Sequence, residues 1–198
     1  MRIGIDIDGV LCDAEKWQLD YGSKYFYEKF GKNIIDFEAY ENMDMFGVSE
    51  KEDIEFWAEY FEPFSKFIRV RELASEVIKK LKNDGNEIYI ITARGSFLNR
   101  LERFEEYEIS KSWVIDWLKE NEIYYDKLLF TTEDKLDTCL ANRIDLMIED
   151  KSKNMISIST KIPVICYHAN HNKNCNNENI RRCYSWYDIY RVIKEEFK

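Results

Sequence analysis

The chain is poor in residues that break or staple a fold. Its 198 residues include only seven glycines and two prolines, which excludes collagen-like and low-complexity architectures. Cysteine occurs five times, an odd and scattered set that makes no disulfide framework and fits a reducing compartment. No apolar run approaches the ~20 residues needed to cross a bilayer. The N-terminus runs directly into a strand pattern, without the basic stretch, apolar core and cleavage site of a signal peptide. The expected setting is therefore cytoplasmic, with no membrane partner. Positive charge is short as well: 29 lysines and arginines stand against 38 aspartates and glutamates, a formal net charge of −9. That argues against a nucleic-acid polymer as partner, which needs a basic surface. A small phosphorylated substrate stays admissible, because a bound divalent cation reverses the local field.

What remains is ordinary for a folded protein, 45% hydrophobic and 34% charged, enough for one buried domain or a domain with a modest insertion. Residues 2–7 read as a short β-branched strand buried on both faces. The stretch that follows, to about residue 65, is helical in pattern and dense in aromatics, including Trp17, Tyr25, Phe26, Phe46, Phe56, Trp57, Tyr60 and Phe64. One helix is expected from Asp13 to a left-handed cap at Gly31. Another is expected from Ser49, where Ser-Glu-Lys-Glu forms a capping box with Glu52, ending before Pro63. Helix and strand then alternate. Helix 71–83, with Leu73, Val77, Ile78 and Leu81 on one face, leads to strand 87–91. A helix capped by Ser110 leads to strand 127–130, and helix 133–141 to strand 144–148. A short helix, strand 163–167 and helix 185–197 close the chain. This alternation implies an α/β three-layer sandwich around a parallel, Rossmann-like sheet. Residues 1–12 and 66–198 form the core domain in this reading, and residues 13–65 a small helical insertion above it. Residues 170–179, with six asparagines in ten, read as an exposed loop.

In such a sheet, ligands bind beyond the carboxyl ends of the strands. The first strand ends in Asp6 and Asp8, the second in Thr92-Ala93-Arg94, the fourth in Glu149-Asp150, and the helix before the fourth opens with Lys135. Buried acidic residues are costly unless they bind something. Four carboxylates on one edge repel one another enough to call for a cation, and oxygen ligands select a hard one, Mg²⁺.

The same residues, in the same order, carry a family resemblance. Ile-Asp-Ile-Asp-Gly-Val (5–10), Ile-Ile-Thr-Ala-Arg (90–94), Lys135 and Met-Ile-Glu-Asp (147–150) resemble the haloacid dehalogenase-like (HAD) phosphohydrolases, most of all the 5′(3′)-deoxyribonucleotidase group and its bacterial relatives. The resemblance implies that Asp6 attacks phosphorus and forms an aspartyl-phosphate. Asp8, two residues on and on the same side of the strand, would protonate the leaving alkoxide and then deprotonate water. The Asp6 carboxylate, the Asp8 carbonyl and Asp150 would hold Mg²⁺, with Glu149 behind Asp150. Thr92, with Ala93, and Lys135 would bind the phosphoryl group. A second aspartate, absent from the family's dehalogenases, points to phosphate esters. The insertion is similar to the family's C1-type caps, which close over small substrates, and its aromatics suit a base, favouring a nucleoside monophosphate. One departure is Glu149, where these nucleotidases usually carry aspartate.

Competing readings attach to several of these residues. Asp6 and Asp8 would serve as a turn-forming pair, Thr92 as a helix cap, and Lys127 as a rival to Lys135. Arg94 would contact either substrate phosphate or a surface carboxylate. Most cap aromatics are expected to pack on one another, leaving two or three for a pocket. Cys166, His168, His171, Cys175 and Cys183 invite a zinc reading, against which C-x-H-x2-H-x3-C is no standard pattern. Sugar phosphates are the alternative substrate class, and a catalytically silent binding module the alternative function. Oligomeric state is not legible.

Overall fold

The computed structural model describes residues 1–132 and 134–197. Six parallel strands form one sheet in the order β3-β2-β1-β4-β5-β6. They are β1 (Arg2–Ile5), β2 (Glu87–Thr92), β3 (Lys127–Phe130), β4 (Leu146–Glu149), β5 (Val164–Tyr167) and β6 (Ile180–Cys183). The helices are α1 (Ala14–Phe30), α2 (Asn42–Phe46), α3 (Glu50–Phe67), α4 (Ala74–Asn83), α5 (Ser96–Arg100), α6 (Phe104–Glu120), α7 (Leu136–Ala141), α8 (Ser152–Ser159) and α9 (Trp186–Glu196). Strand alternation divides the core between two faces. Ile88 and Ile90 join Ile3, Ile5, Val114 and Ile189 on one face, whereas Tyr89 and Ile91 join Met147, Met155 and Ile158 on the other. This is the two-sided burial of a parallel sheet. Strand order reverses between β1 and β4, which lie side by side, and the crevice beyond their carboxyl ends is where such sheets bind ligands.

Helices α1 to α3 fold around a cluster of their own, made of Tyr25, Phe26, Met45, Phe46, Val48 and Phe56. Asp13 accepts from the Lys16 N–H to start α1, Gly31 ends it at φ 66°, and the Ser49–Glu52 capping box starts α3. Two linkers join this insert to the sheet and pair with each other, the Arg71 N–H donating to the Leu11 carbonyl at 2.7 Å.

Several elements differ from the sequence reading. Helix α3 runs through Pro63 to Phe67. Pro63 and Glu59 are exposed, so water can take the carbonyl that proline leaves unbonded. Burial of Phe61 and Phe64 offsets a penalty of about 3 kcal/mol. Ser110 lies inside α6, not at its start, because its buried hydroxyl donates to the Tyr107 carbonyl at 2.7 Å and is satisfied within the helix. Helix α4 begins only at Ala74; Leu73 stands exposed at φ 64° because Arg71 is held by the linker. The expected start of α7 at Glu133 lies outside the described residues. Strand β6 was not anticipated, its two arginines hiding an edge strand. The asparagine-rich segment is not uniformly exposed: Asn172 is wholly buried.

Candidate active site

The Asp6 N–H donates to the Ile148 carbonyl at 3.0 Å, carrying the β1–β4 pairing one residue past β1. Beyond it the chain turns sharply, the N–H groups of Val10, Leu11 and Cys12 all converging on the Ile7 carbonyl. Asp8 is therefore placed by this turn and not by strand alternation. Gly9 makes the turn possible at φ 79°, and a Cβ there would lie 1.8 Å from Asp150 Oδ2. Only glycine lets the two acidic strand ends come this close.

Each carboxylate of the two acidic pairs meets a cation. Lys135 Nζ, buried at the start of α7, bonds Asp6 Oδ2 at 2.7 Å and Glu149 Oε2 at 2.8 Å. The Arg94 guanidinium, also buried, grips Asp8: Nε lies 3.0 and 3.3 Å from the two carboxylate oxygens, and Nη2 contacts Oδ1. His171 Nε2 lies 3.1 Å from Asp150 Oδ2. The four carboxylates thus do not by themselves demand a metal, as charge counting along the sequence suggested; three side-chain cations already face them. Arg94 pairs with Asp8 and not with a surface carboxylate, correcting that reading of it; it stacks on Phe64 and Trp117 and lines the cavity above the strand ends.

The titration behaviour follows from burial. Burial, and then the charge of Glu149, pushes the Asp6 carboxyl well above the usual carboxylate range. Burial likewise raises Asp150 despite its histidine partner. For Lys135 burial acts downward, yet Asp6 and Glu149 hold the ammonium above its ordinary value; Asp8 does the same for Arg94. His171 ends at about 9, burial being outweighed by Asp150 and Glu15.

A cation has a place beside these groups. Carboxylate oxygens of Asp6, Glu149 and Asp150 lie within 4.8 Å of one another. Both Glu149 oxygens are engaged, Oε1 accepting from the Lys151 N–H at 3.0 Å. Asp150 Oδ1 is buried without a hydrogen-bond partner. A buried carboxylate oxygen left bare is costly, and an all-oxygen set suits a hard divalent ion. The residues fit such a group.

A cavity of about 540 Å³ opens above Asp6, Asp8, Ala93, Arg94 and Lys135, within the usual range for small-molecule sites. Its upper wall comes from the insert and from α5: Tyr40, Trp57, Phe61, Phe64 and Phe97. Thr92, Glu149 and Asp150, at the ends of β2 and β4, are fully or almost fully buried and do not line the cavity; Thr92 Oγ1 accepts from the Arg94 N–H at 3.0 Å. The proposed zinc residues part company. Cys166 and Cys183 fall in opposite core layers, and His168 lies 3.2 Å from Arg182. His171 turns to Asp150 and Glu15. His171 is the residue whose place the sequence reading missed. The signal was positional: it follows β5, the neighbour of β4, on the same sheet edge as Asp150.

Solved structures share this architecture across nearly the whole chain. A predicted phosphatase from Clostridium acetobutylicum superposes at a TM-score of 0.65 with 16% identity, over 98% of both chains. A HAD-superfamily hydrolase from Geobacter sulfurreducens superposes at 0.55 with 14% identity, over 96% of this chain and 98% of that one. The fold is that of the haloacid dehalogenase-like hydrolases, and the protein is a phosphoric monoester hydrolase of that class acting on a small phosphorylated substrate. The family model described as 5′ nucleotidase, deoxy (Pyrimidine), cytosolic type C protein matches residues 1–197, and the chain belongs to that family. A nucleotidase of Clostridium acetobutylicum is 28% identical over 100% of this chain and 96% of its own. Among the described residues no helix is long and apolar enough to cross a membrane.

Proposed function

We propose that the protein is a Mg²⁺-dependent nucleoside monophosphate phosphatase that works through a phosphorylated Asp6. The observation that carries this reading is the position of Asp6. It lies at the cavity floor, with one oxygen on Lys135 at 2.7 Å and Asp8 beside it in the same wall. An Asp6 oxygen attacks phosphorus while the bond to the alkoxide breaks, and the alkoxide takes a proton from Asp8. Asp8 then takes a proton from water as that water attacks the phosphorus of the aspartyl-phosphate, releasing phosphate and restoring Asp6. Lys135 offsets charge on the nucleophile and phosphoryl group, and Thr92 and Ala93 steady the β2 end of the phosphate site. Asp6, the Asp8 carbonyl and Asp150 would hold Mg²⁺, Asp150 through its open Oδ1, with Glu149 kept back by Lys135. When bound, the ion supplies charge neutralisation at the phosphoryl oxygens.

Residues 13–65 act as the cap in this reading. The aromatic rings on the cavity side, set against the phosphate end, support a planar base as the distal part of the substrate, since stacking is worth about 1–3 kcal/mol per base. The name carried by the Clostridium nucleotidase agrees with this class. The test is hydrolysis of an aryl phosphate with Mg²⁺ by wild type and Asp6→Asn, with beryllofluoride binding as a second readout. Activity surviving the substitution sinks the mechanism. A panel of nucleoside monophosphates against sugar phosphates then tests the substrate, and a tenfold preference for sugar phosphates retires the nucleotidase reading.

A further inference from the structure

We infer that His171 is a positioning residue for Asp150, locking one carboxylate oxygen so that the other is presented to the cation. The inference rests on the metal reading above. His171 Nε2 lies 3.1 Å from Asp150 Oδ2 and 3.2 Å from the Asp150 carbonyl oxygen. Nδ1 lies 3.2 Å from Glu15 Oε1. Both ring nitrogens are therefore taken by acceptors, so the ring can orient a ligand but has no lone pair free to be one.

The clamp is itself held from several sides. Glu15, in the first turn of α1, also accepts from the His171 N–H at 3.2 Å and from Asn170 Nδ2 at 3.1 Å. Asn172 Nδ2 donates to the Asp150 carbonyl at 2.8 Å, and its Oδ1 accepts from Arg182 Nη1 at 2.7 Å. Tyr40, a wall of the substrate cavity, meets the imidazole edge-on at 5.0 Å between centroids. The loop after β5 thus fixes the rotation of Asp150 against both the sheet and the root of the insert. With Oδ2 bonded and Oδ1 bare, the carboxylate has one oxygen left to offer. Partners that orient a ligand in this way typically cost roughly 10–100-fold in metal affinity when removed.

Charge alone makes the opposite prediction, because deleting a cation beside the site would tighten metal binding. The two are separated by titrating Mn²⁺ into the full chain, with free ion read by electron paramagnetic resonance, for wild type, Asp150→Asn, His171→Ala, His171→Gln and Lys173→Ala. Glutamine carries its amide nitrogen at about the reach of imidazole Nε2, keeping the donor and dropping the charge. The expected pattern is binding by wild type, loss in Asp150→Asn, a 10–100-fold weaker constant in His171→Ala and recovery of most of it in His171→Gln. Lys173→Ala, which removes only the loop's contact with Glu38, should bind as wild type. The half-saturating Mg²⁺ concentration for hydrolysis should rise in His171→Ala while KM at saturating Mg²⁺ holds. If His171→Ala fails to fold, Glu15→Ala, which removes the acceptor on the far side of the ring, should still weaken binding several-fold. Binding by His171→Ala or, in its place, Glu15→Ala equal to or tighter than wild type overturns the positioning role while leaving the metal reading intact. Wild-type failure to bind Mn²⁺, or full binding by Asp150→Asn, overturns both.

Discussion

Replacing Gly9 by alanine tests whether the site depends on the close approach of its two acidic strand ends. The added Cβ would lie 1.8 Å from Asp150 Oδ2, 2.2 Å from Cγ and 2.7 Å from Oδ1. Carbon and oxygen need about 3.3 Å, so Asp150 or the 7–12 turn must move by about 1.5 Å. Asp150 is short, buried and bonded through Oδ2 to His171, so it cannot simply swing away. The left-handed backbone adds about 1–2 kcal/mol and overpacking about 1–3 kcal/mol. At 2–4 °C per kcal/mol for a chain of this size, Tm should fall by about 5–15 °C. A displacement of 1 Å can cost about 10²-fold in rate, so kcat should drop at least that far. Gly31→Ala is the matched control. It has φ 66° but nothing within 4 Å of the new carbon, so it should show the backbone cost alone and keep full activity. Hydrolysis and thermal unfolding of the two variants side by side decide the matter. If Gly9→Ala keeps activity within tenfold of wild type, or loses no more stability than Gly31→Ala, the steric reasoning is wrong.

Three further outcomes follow from contacts at the site and in the insert. Arg94→Met frees the Asp8 carboxylate, so turnover of an alkyl phosphate, whose leaving group needs a proton, should fall at least tenfold further than that of p-nitrophenyl phosphate, within the 10²–10⁴ attributed to acid catalysis; equal losses on both would refute an orienting role. Lys135→Met strands Asp6 and Glu149 without the ammonium that touches both, and should cost about 3–5 kcal/mol in EDTA. Because burial already raises Asp6 above its usual 3.8, the variant should recover stability as pH falls; a stability deficit equal at pH 5 and pH 8 would contradict this. Glu52 is held down to about 2, first by its hydrogen bond to Lys32 and then by Ser49, against an ordinary 4.5. Its contribution to α3 is therefore present above about pH 4.5 and lost as pH falls through about 2. The Tm gap between wild type and Glu52→Gln should narrow from pH 7 to pH 3, and a constant gap would refute the assignment.

The fold was legible where local chemistry and burial agree. Asp13, Gly31 and the Ser49–Glu52 box mark helix ends because cap groups bond only to their own helix, and β2 and β5 stand out as apolar runs. It was illegible where a tertiary contact outweighs the local signal. Pro63 reads as a stop, yet buried phenylalanines on either side carry α3 past it. Arg71 reads as helix, yet Asp13, the Gly9 carbonyl and the Tyr167 ring hold it in the linker. Strand β6 has only two buried residues out of four, too little alternation to stand out from the loop before it.

The site divides in the same way. The proximity of Asp6, Thr92 and Glu149-Asp150 was legible because strand ends in a parallel sheet face one edge, so order along the chain becomes proximity. Asp8 and Lys135 are brought beside them by the turn after β1 and the start of α7. The partners of the acidic groups were harder to find, because pairing is a matter of angle and burial that spacing does not encode. Arg94 follows Thr92 by two residues, yet nothing local says that it turns inward to Asp8 and stacks on Phe64 and Trp117. His171 lies 21 residues beyond Asp150, in a segment whose polarity suggested solvent. Together these partners change the electrostatic argument: Lys135, Arg94 and His171 face Asp6, Asp8, Glu149 and Asp150, with Glu15 on the far side of His171, so three cations offset most of the carboxylate charge before substrate arrives. With most of that repulsion offset, bulk charge does not by itself call for a metal, and under the proposed function it is the bare Asp150 oxygen that would take one.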